Sequence, residues 1–424
     1  MKILDITGNP FSKELNNGKT HEALFSSFEK EELCQLYTRP VDNGLIDFDF
    51  CHSYYCVSDF DVLKRLTLRS RICGIEVSNS DAVANQGNDY ITFSDKKISS
   101  YPEIIRLLRD LMWHTNVWKN KNLEQWLFKE KPDLVFVDGG GECFLFDIAL
   151  YIAKKIHVPL VSYYTDDYLI TPLLNGFVSK IRHKRLDKTL KKVVGCSSLC
   201  YAIGEEMAEE YGKYFHKEFG YIMNSIAVMP YVEKLDSSKR ITISYFGSLG
   251  LNRGRMIGRL AKILGSEVEI KVYTFSHLTQ EDSEWLNAQG VSLNEGVKGE
   301  EFHNAVYDSD ILLHVESDDD DNRAFTRLAV STKIPEYLMH SRSVLGFGPT
   351  EVASMRLLSK NDVGVVVSSE VEDQDIYRAV SVLFDKSCRE EYSKKGYKYA
   401  CDFFDREKNA NRFKKQIEQI INGK

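Results

Sequence analysis

The sequence predicts an α/β protein of two domains, each a parallel β-sheet covered by helices on both faces. The chain has 424 residues, and single hydrophobic cores stop growing at roughly 250–300 residues, so two domains are expected. Short apolar, β-branched segments also alternate with helical patterns along the chain. This alternation is typical of parallel βαβ units.

The clearest unit lies in the first half. Segment 133–138 (DLVFVD) predicts a buried strand, three glycines follow it, and apolar residues then recur at helical spacing up to Ile156. Pro159 ends that helix, and 160–164 (LVSYY) predicts the next strand, so the three elements form a right-handed crossover. The other elements expected in this half are strands at 2–6, within 193–203 and at 221–223, and an acidic helix over 205–214.

The second half restarts the same alternation after a polar stretch, residues 230–239, which we interpret as a linker. The predicted domains are therefore residues 1–230 and 240–402. Residues 403–424 form a C-terminal helix that is expected to pack back toward the first domain. The strands expected in the second half are 241–246, 268–275, 310–315, 344–347 and 363–367.

Composition excludes several classes of protein. The formal net charge of −7 offers no global field for nucleic acid. The nine cysteines are scattered, and neither Cys51 with Cys56 nor Cys196 with Cys200 has a matching second pair, so reduced thiols are favoured over a disulfide framework or a zinc site. No signal-peptide pattern and no run of 18 apolar residues occurs, so a cytoplasmic protein is expected.

The turn after the strand 241–246 is the first candidate ligand site, because ligands of doubly wound sheets bind at the carboxyl ends of strands. Its sequence, GSLGLNR over 247–253, places Ser248 between glycines whose amides can approach an anion, and Arg253 adds a permanent charge. The turn matches neither the dinucleotide fingerprint nor the P-loop spacing. The alternative is a simple strand-to-helix turn.

The segment 331–336 (STKIPE) is more informative. Ser331 and Thr332 can cap a helix whose first turn holds Lys333, and a helix start beside a lysine suits an anion. Glu336, one turn further on, can accept both hydroxyls of a ribose. The alternative is a capped helix with an ion pair on its surface.

Together these segments resemble the GT-B glycosyltransferases, family 4-like and retaining, that build bacterial surface polysaccharides such as capsule, exopolysaccharide and lipopolysaccharide. The resemblance implies two Rossmann-like domains facing a cleft, with a nucleotide-sugar donor in the second. Arg253 and Lys333 would neutralise its diphosphate, Ser331 and Thr332 would add hydrogen bonds, and Glu336 would bind the ribose. No metal or other cofactor is implied. Gly18, within the NGKT sequence at 17–20, resembles the family's N-terminal glycine loop.

One departure affects the chemistry. Many relatives carry two glutamates separated by seven residues, but counting back from Glu336 reaches Leu328. Glu316 is the nearest substitute and becomes the candidate catalytic carboxylate. The aspartates at 318–321 follow it; four adjacent carboxylates rarely converge on one ion, so a solvated loop is favoured over a metal site.

The roles of three further features remain open. Asp166 and Asp167 follow the strand 160–164, where a carboxylate could deprotonate or position an acceptor hydroxyl, or simply form a turn. His52 is a weaker catalytic candidate. The segment 180–192, from Lys180 to Lys192, predicts a basic amphipathic helix that is either solvated or docked on anionic lipid.

The function expected from the sequence is transfer of a sugar from a nucleotide donor to a glycan acceptor, often lipid-linked, by an enzyme in the cytoplasm or on the inner face of the membrane. Two alternatives stay open. One is a sugar-nucleotide epimerase or hydrolase on the same scaffold. The other is a catalytically degenerate binding partner, for which Leu328 is the best argument.

Overall fold

The computed structural model describes residues 1–79, 103–171, 176–234 and 240–423. The chain forms two compact units. Unit 1 contains Met1–Met223 and Arg406–Lys424, and unit 2 contains Asn224–Asp405.

The polar stretch expected as a linker starts inside unit 2. The Val232 amide donates to Ser341 Oγ at 3.3 Å, and the Val232 carbonyl accepts from the guanidinium of Arg342 at 2.8 Å. Because the backbone is held by unit 2 at this point, the chain has already left unit 1. Residues 235–239 lie outside the described residues.

Unit 1 contains an eight-stranded sheet. Its strands are β1 (Ile3–Thr7), β2 (Leu33–Tyr37), β3 (Ser53–Cys56), β4 (Ile75–Val77), β5 (Leu134–Asp138), β6 (Leu160–Tyr164), β7 (Ser197–Ala202) and β8 (Gly220–Tyr221). Their order across the sheet is β4-β3-β2-β1-β5-β6-β7-β8, and only β3 and β4 pair antiparallel. Strands β1, β2, β5 and β6 are buried along their whole length, as expected for parallel strands covered on both faces.

The helices of unit 1 cover this sheet. They are α1 (Asn16–Phe25), α2 (Asp59–Leu66), α3 (Glu103–His114), α4 (Lys121–Glu130), α5 (Cys143–Ile156), α6 (Phe177–Cys196), α7 (Glu205–Phe215) and, from the C-terminus, α16 (Arg406–Asn422). Helix α16 belongs to unit 1 because its buried Phe413 contacts the rings of Phe25, Phe28 and Phe136. Burial of such a ring is worth about 2–3 kcal/mol.

Unit 2 contains a six-stranded, fully parallel sheet. Its strands are β9 (Ile241–Phe246), β10 (Val268–Thr274), β11 (Val291–Glu295), β12 (Ile311–Val315), β13 (Ser343–Gly348) and β14 (Val365–Ser368). Their order is β11-β10-β9-β12-β13-β14. The helices are α8 (Arg253–Leu264), α9 (Gln280–Ala288), α10 (Gly299–Asp308), α11 (Asp320–Thr326), α12 (Lys333–Met339), α13 (Ala353–Lys360), α14 (Asp373–Ser381) and α15 (Lys386–Phe403).

Each sheet has a point where the strand order reverses. In unit 1, β1 lies between β2 and β5, and in unit 2, β9 lies between β10 and β12. The connections that leave these strands run in opposite directions, which opens a crevice at the carboxyl ends. The ends of β1 and β5, and of β9 and β12, are therefore the places where each unit can bind a ligand.

The predicted α/β class with two parallel sheets is confirmed. Strands β2, β3, β4 and β11 were not predicted. The NGKT sequence at 17–20, expected as a loop, lies in the first turns of α1. There a Cβ at Gly18 would come within 2.6 Å of the Pro10 carbonyl oxygen, so glycine is needed for packing against the preceding loop.

Candidate active site

The turn after β9 brings the backbone of unit 2 close to a lysine. Gly247 has φ +134°, a conformation that favours glycine, and a Cβ there would collide with the amine of Lys333. The Gly247 amide donates to the Tyr273 carbonyl at 2.9 Å. Ser248 Oγ accepts from the Gly250 amide at 3.2 Å, so this hydroxyl shapes the turn. The turn thus delivers its backbone directly beside the Lys333 side chain.

Arg253 begins α8 and reaches the end of β12. Its Nε donates to the Val315 carbonyl at 3.1 Å, and its Nη2 lies 3.2 Å from Glu316 Oε2. The other carboxylate oxygen of Glu316 lies 3.2 Å from His314 Nε2. The Glu316 side chain is only 4% exposed. Burial alone would raise its pKa, but His314 and Arg253 outweigh burial and lower it.

Lys333, at the start of α12, is the second cation of this edge. Its Nζ donates to Tyr245 Oη at 3.1 Å and lies 4.3 Å from the centre of the Tyr245 ring. Burial, and then the charge of Arg253, lower its pKa to about 7, while Glu316 and Glu336 act in the opposite direction. The lysine is therefore partly neutral near pH 7, a state that an incoming anion would reverse.

Helix α12 is held in place by its own residues. The Phe246 amide donates to Tyr337 Oη at 3.1 Å. Thr332 takes the N-cap position in a helical conformation, and within the described residues its side chain caps no amide of the helix. Ser331 Oγ accepts weakly from the Lys333 amide at 3.4 Å. Of the two hydroxyls expected to cap this helix, only that of Ser331 reaches a helix amide.

A pair of histidines that the sequence did not suggest lies at the C-terminal end of α12. His340 is buried, its Nδ1 lies 2.6 Å from the Glu336 carbonyl, and its Nε2 lies 2.7 Å from His303 Nδ1. Burial lowers the pKa of His340 to about 4, although its bond to Glu336 opposes this. A neutral His340 therefore donates to the helix carbonyl and accepts from His303, which fixes the backbone at Glu336.

The two candidate aspartates at the carboxyl edge of the unit 1 sheet lie in different environments. Asp167 is buried and accepts from the backbone amides of residues 169, 170 and 171 and from Tyr211 Oη. It shapes the turn. Asp166 is half-exposed and has Tyr168 Oη at 3.4 Å. Burial, and then the charge of Asp138, raise the pKa of Asp166 to about 6, so Asp166 is the one of the pair suited to exchange a proton.

Known structures share this architecture over their full length. A sucrose-phosphate synthase from Thermosynechococcus elongatus superposes with a TM-score of 0.66 at 10% identity, over 100% of both chains. HepE from Anabaena, in complex with UDP, superposes with 0.64 at 10% identity, over 99% of this chain and 100% of HepE. WaaG, a glycosyltransferase involved in lipopolysaccharide biosynthesis, superposes with 0.55 at 11% identity, over 97% of this chain and 99% of WaaG.

The fold is GT-B. No family model matches the sequence, and no curated protein sequence matches it. At these identities the likeness establishes the architecture and leaves the activity to be argued from the site.

In this GT-B chain the position expected to carry the first glutamate is a buried leucine. Leu328 is 1% exposed, so its side chain contributes to the core. The aspartates at 318–321, which follow Glu316, do not form a solvated loop: Asp319 caps α11 by accepting from the Asn322 amide at 3.0 Å, and α11 begins at Asp320. Acidic residues at a helix N-terminus are stabilised by the helix dipole.

The remaining candidates from the sequence are His52, a metal site and the cysteines. His52 is exposed, and its Nε2 lies 3.9 Å from Glu130 Oε2. Across the described ranges, no cluster of three or more His, Cys, Asp or Glu side chains is arranged to hold a metal ion. All nine cysteines are free thiols.

The basic segment from Lys180 to Lys192 lies on α6, as predicted. Its lysines at 180, 184, 188 and 191 are exposed at helical spacing, so they share one face. Arg182 is turned inward and pairs with Asp110 of α3 at 3.0 Å. Among the described residues, no helix combines the length and apolarity needed to cross a membrane.

Proposed function

We propose that this chain is a glycosyltransferase that binds a nucleotide-sugar donor at the carboxyl edge of the six-stranded sheet of unit 2. The observation that carries the proposal is the convergence of Arg253 and Lys333 at the switch point between β9 and β12. Two cations there can stabilise the negative charge that develops on a diphosphate when the sugar leaves. HepE, which has this fold, has been solved with UDP and with UDP-glucose, so uridine nucleotides are the first donors to test.

The surrounding polar groups have distinct proposed roles. Glu336 receives the ribose hydroxyls, and Ser248, Ser331 and Thr332 add hydrogen bonds to the phosphates. Glu316 was the candidate catalytic carboxylate. Its contact with Arg253 instead favours a positioning role, because a buried carboxylate bonded to the guanidinium holds that group in one orientation. No metal is needed to neutralise the diphosphate in this proposal.

The acceptor is proposed to bind unit 1, with Asp166 as the base that takes the proton of its hydroxyl. A pKa of about 6 makes Asp166 a stronger base than an ordinary aspartate while it is still ionised at pH 7. We propose a glycan acceptor of a bacterial surface polysaccharide, carried on a lipid. The sugar that we propose to be transferred is a hexose.

Support for a lipid-borne acceptor comes from the surface of α6. Its lysine face continues into exposed Phe177 and Ile181, and the adjacent α3 exposes Leu108 and Leu111. Apolar side chains beside lysines suit the headgroup region of an anionic membrane, where each basic side chain adds about 1 kcal/mol. We therefore propose that unit 1 docks peripherally on the inner face of the cell membrane.

Thermal unfolding with UDP, UDP-glucose, GDP-mannose and ADP tests donor binding. A true donor at one hundred times its Kd should stabilise the protein by about 2.7 kcal/mol, and Arg253→Ala, with binding about 100-fold weaker, should reduce this gain to about 0.4 kcal/mol. If no nucleotide sugar in a wider panel raises the thermal stability, the alternative of a catalytically degenerate binding partner is favoured. The buried Leu328 is the argument for that alternative. Product analysis with and without a glycan acceptor separates transfer from hydrolysis or epimerisation.

Vesicle sedimentation tests membrane docking independently. Phosphatidylglycerol vesicles should retain the protein, and neutral phosphatidylcholine vesicles should not. Replacing Lys180, Lys184, Lys188 and Lys191 by glutamine should release it without changing donor protection. Equal binding to both kinds of vesicle would contradict an electrostatic surface.

A further inference from the structure

A histidine lies between two aspartates inside unit 1, apart from the groups described so far. His21 of α1 has its Nδ1 3.1 Å from Asp5 Oδ2 and its Nε2 3.3 Å from Asp138 Oδ2. The side chains of all three residues are at most 4% exposed. Asp5 belongs to β1 and Asp138 ends β5, so the histidine bridges the two strands of the switch point.

Both ring nitrogens of His21 face a carboxyl group. A histidine that carries a proton on each nitrogen can donate one hydrogen bond to each of these neighbours. Burial disfavours this charge, but Asp5 and Asp138 outweigh it and raise the pKa of His21 to about 10. The group is thus a buried imidazolium with two carboxylates.

Further bonds hold both carboxylates in place. Asp5 Oδ2 also accepts from Gln35 Nε2 at 2.7 Å, and Gln35 Oε1 accepts from the Phe11 amide at 2.8 Å. Asp138 Oδ1 accepts from the Gly140 amide at 3.2 Å. The network therefore joins the loop after β1 to the glycine loop after β5, at the carboxyl edge of the sheet.

Asp138 pairs in register with Tyr163 of the neighbouring strand β6, and Asp166 follows that strand. After burial, the charge of Asp138 is the largest cause that raises the pKa of Asp166. The other titratable groups that interact with Asp166 are Asp167 of its own turn and the phenols of Tyr163, Tyr168 and Tyr211. Asp138 is thus the main charged neighbour from another strand.

We propose that His21 is a positioning residue that holds the Asp138 carboxyl group beside the turn of Asp166, the proposed base that takes the proton of the acceptor hydroxyl. The inference rests on the proposed role of Asp166. In that step the acceptor O–H bond breaks and its proton passes to Asp166. The acceptor oxygen bonds to the anomeric carbon, and the bond from that carbon to the diphosphate breaks with its electron pair leaving on the phosphate. His21 touches no substrate and acts only through Asp138.

A purely structural network would lock the fold without changing proton affinities, so the pH profile distinguishes the two roles. The acid limb of kcat/KM should lie near pH 6 in the unmodified protein. Asp138→Asn removes the neighbouring charge and should lower the limb by about one to two pH units, toward the ordinary range of an aspartate. His21→Gln removes the contact that holds Asp138 beside this turn, so the limb should fall likewise.

The double variant His21→Gln/Asp138→Asn should shift the limb no further than Asp138→Asn alone, because His21 acts on Asp166 only through Asp138. Asp147→Asn, at another partly buried carboxyl of unit 1, should leave the limb in place. An unchanged limb in Asp138→Asn, or an upward shift in His21→Gln, would overturn the inference.

A measurement without turnover separates this inference from the proposed function. Carbon-13 labelling of aspartate carboxyl groups, with the signal assigned by its loss in Asp166→Asn, reports the titration of Asp166 directly. Its midpoint should fall in Asp138→Asn even if the protein transfers no sugar, in which case only the proposed function fails. If the protein is active but the titration midpoint of Asp166 is the same in Asp138→Asn and His21→Gln as in the unmodified protein, the proposed function holds and this inference is wrong.

Discussion

The two switch-point edges of this molecule use the same arrangement with opposite charge. In unit 2, two cations meet: Arg253 has a buried counter-ion in Glu316, and Lys333 is driven toward neutrality, with a pKa of about 7. In unit 1, two carboxylates act on each other: Asp138 has a buried counter-ion in His21, and Asp166 has a pKa of about 6.

The comparison shows how a protein obtains a titratable group near neutral pH. Like charges at one edge repel, and a buried counter-ion stabilises only one of them. The charged form of the partner is disfavoured first by burial and then by this repulsion. The partner therefore titrates close to pH 7, where small changes in ligand charge alter its protonation state. The cationic edge suits a diphosphate and the anionic edge suits a hydroxyl that must lose a proton.

The largest expected effect comes from Arg253→Ala, which removes the paired cation. Donor affinity should fall about 100-fold, because charged hydrogen bonds are worth about 1.5–3 kcal/mol each. Stability should fall by about 2 kcal/mol, since Glu316 is left buried beside His314 alone. Calorimetry with UDP-glucose and urea unfolding measure both.

The matched variants make this test specific. Arg255→Ala, an exposed arginine on the same helix, should change neither quantity. Arg253→Ala/Glu316→Gln should recover stability without recovering affinity. If affinity returned as well, the guanidinium would not be a phosphate ligand.

Lys333→Met should have the next largest effect, and its two consequences run in opposite directions. Affinity should fall about tenfold. In the unfolded chain a lysine keeps its proton up to about pH 10.5, and in the folded state only up to about 7. The charge therefore opposes folding fully below pH 7, and this opposition disappears as pH rises toward 10.5. At pH 7 the variant should consequently unfold a few degrees higher, and Lys262→Met should not.

The pH dependence of donor affinity follows from the same lysine. A bound diphosphate raises the pKa of Lys333 above 7, so binding takes up a proton. Affinity for UDP-glucose should be constant below pH 7 and fall up to tenfold per pH unit above it. Calorimetry at pH 8 in phosphate and in Tris should report uptake of almost one proton. The same uptake in Lys333→Met would assign it to a different group.

The smallest expected effects separate the adjacent aspartates of unit 1. Asp167→Asn should cost about 1–3 kcal/mol, because an amide nitrogen would face the donors of residue 171. Asp166→Asn should be slightly stabilising at pH 7.5, since the folded state raises this pKa to about 6 and so disfavours the charge above pH 6. That gain should vanish below about pH 4, which thermal unfolding across pH can check. Destabilisation by both variants would end the distinction.

Much of the fold could be predicted because its central strands are continuous β-branched segments bounded by glycine or proline. The strand β2 (LCQLY) was missed because Gln35 interrupts its apolar pattern, and the reason for that glutamine is its bond to Asp5. The short, largely exposed β4 offers no buried pattern to detect.

The candidate site was predictable only for charged residues that follow a recognisable strand end or helix start. Arg253 and Lys333 are 80 positions apart in the chain, yet each follows a recognisable turn or cap signal. Tyr245 and Tyr337 were not predicted as site residues, and only the structure shows their hydroxyls contacting Lys333 and the end of β9. His21 carried no signal, because its partners at 5 and 138 depend on the register of β1 and β5.

The contact between Gly247 and Lys333 has a consequence for comparing sequences. A side chain at 247 would displace the lysine amine, and φ +134° disfavours any residue with a Cβ, so the amine can keep this position only opposite a glycine. In distant chains where no motif survives, a lysine at the helix start should therefore be accompanied by a glycine after the first strand of the second unit. Such a pair can be sought at identities where ordinary alignment has lost the site.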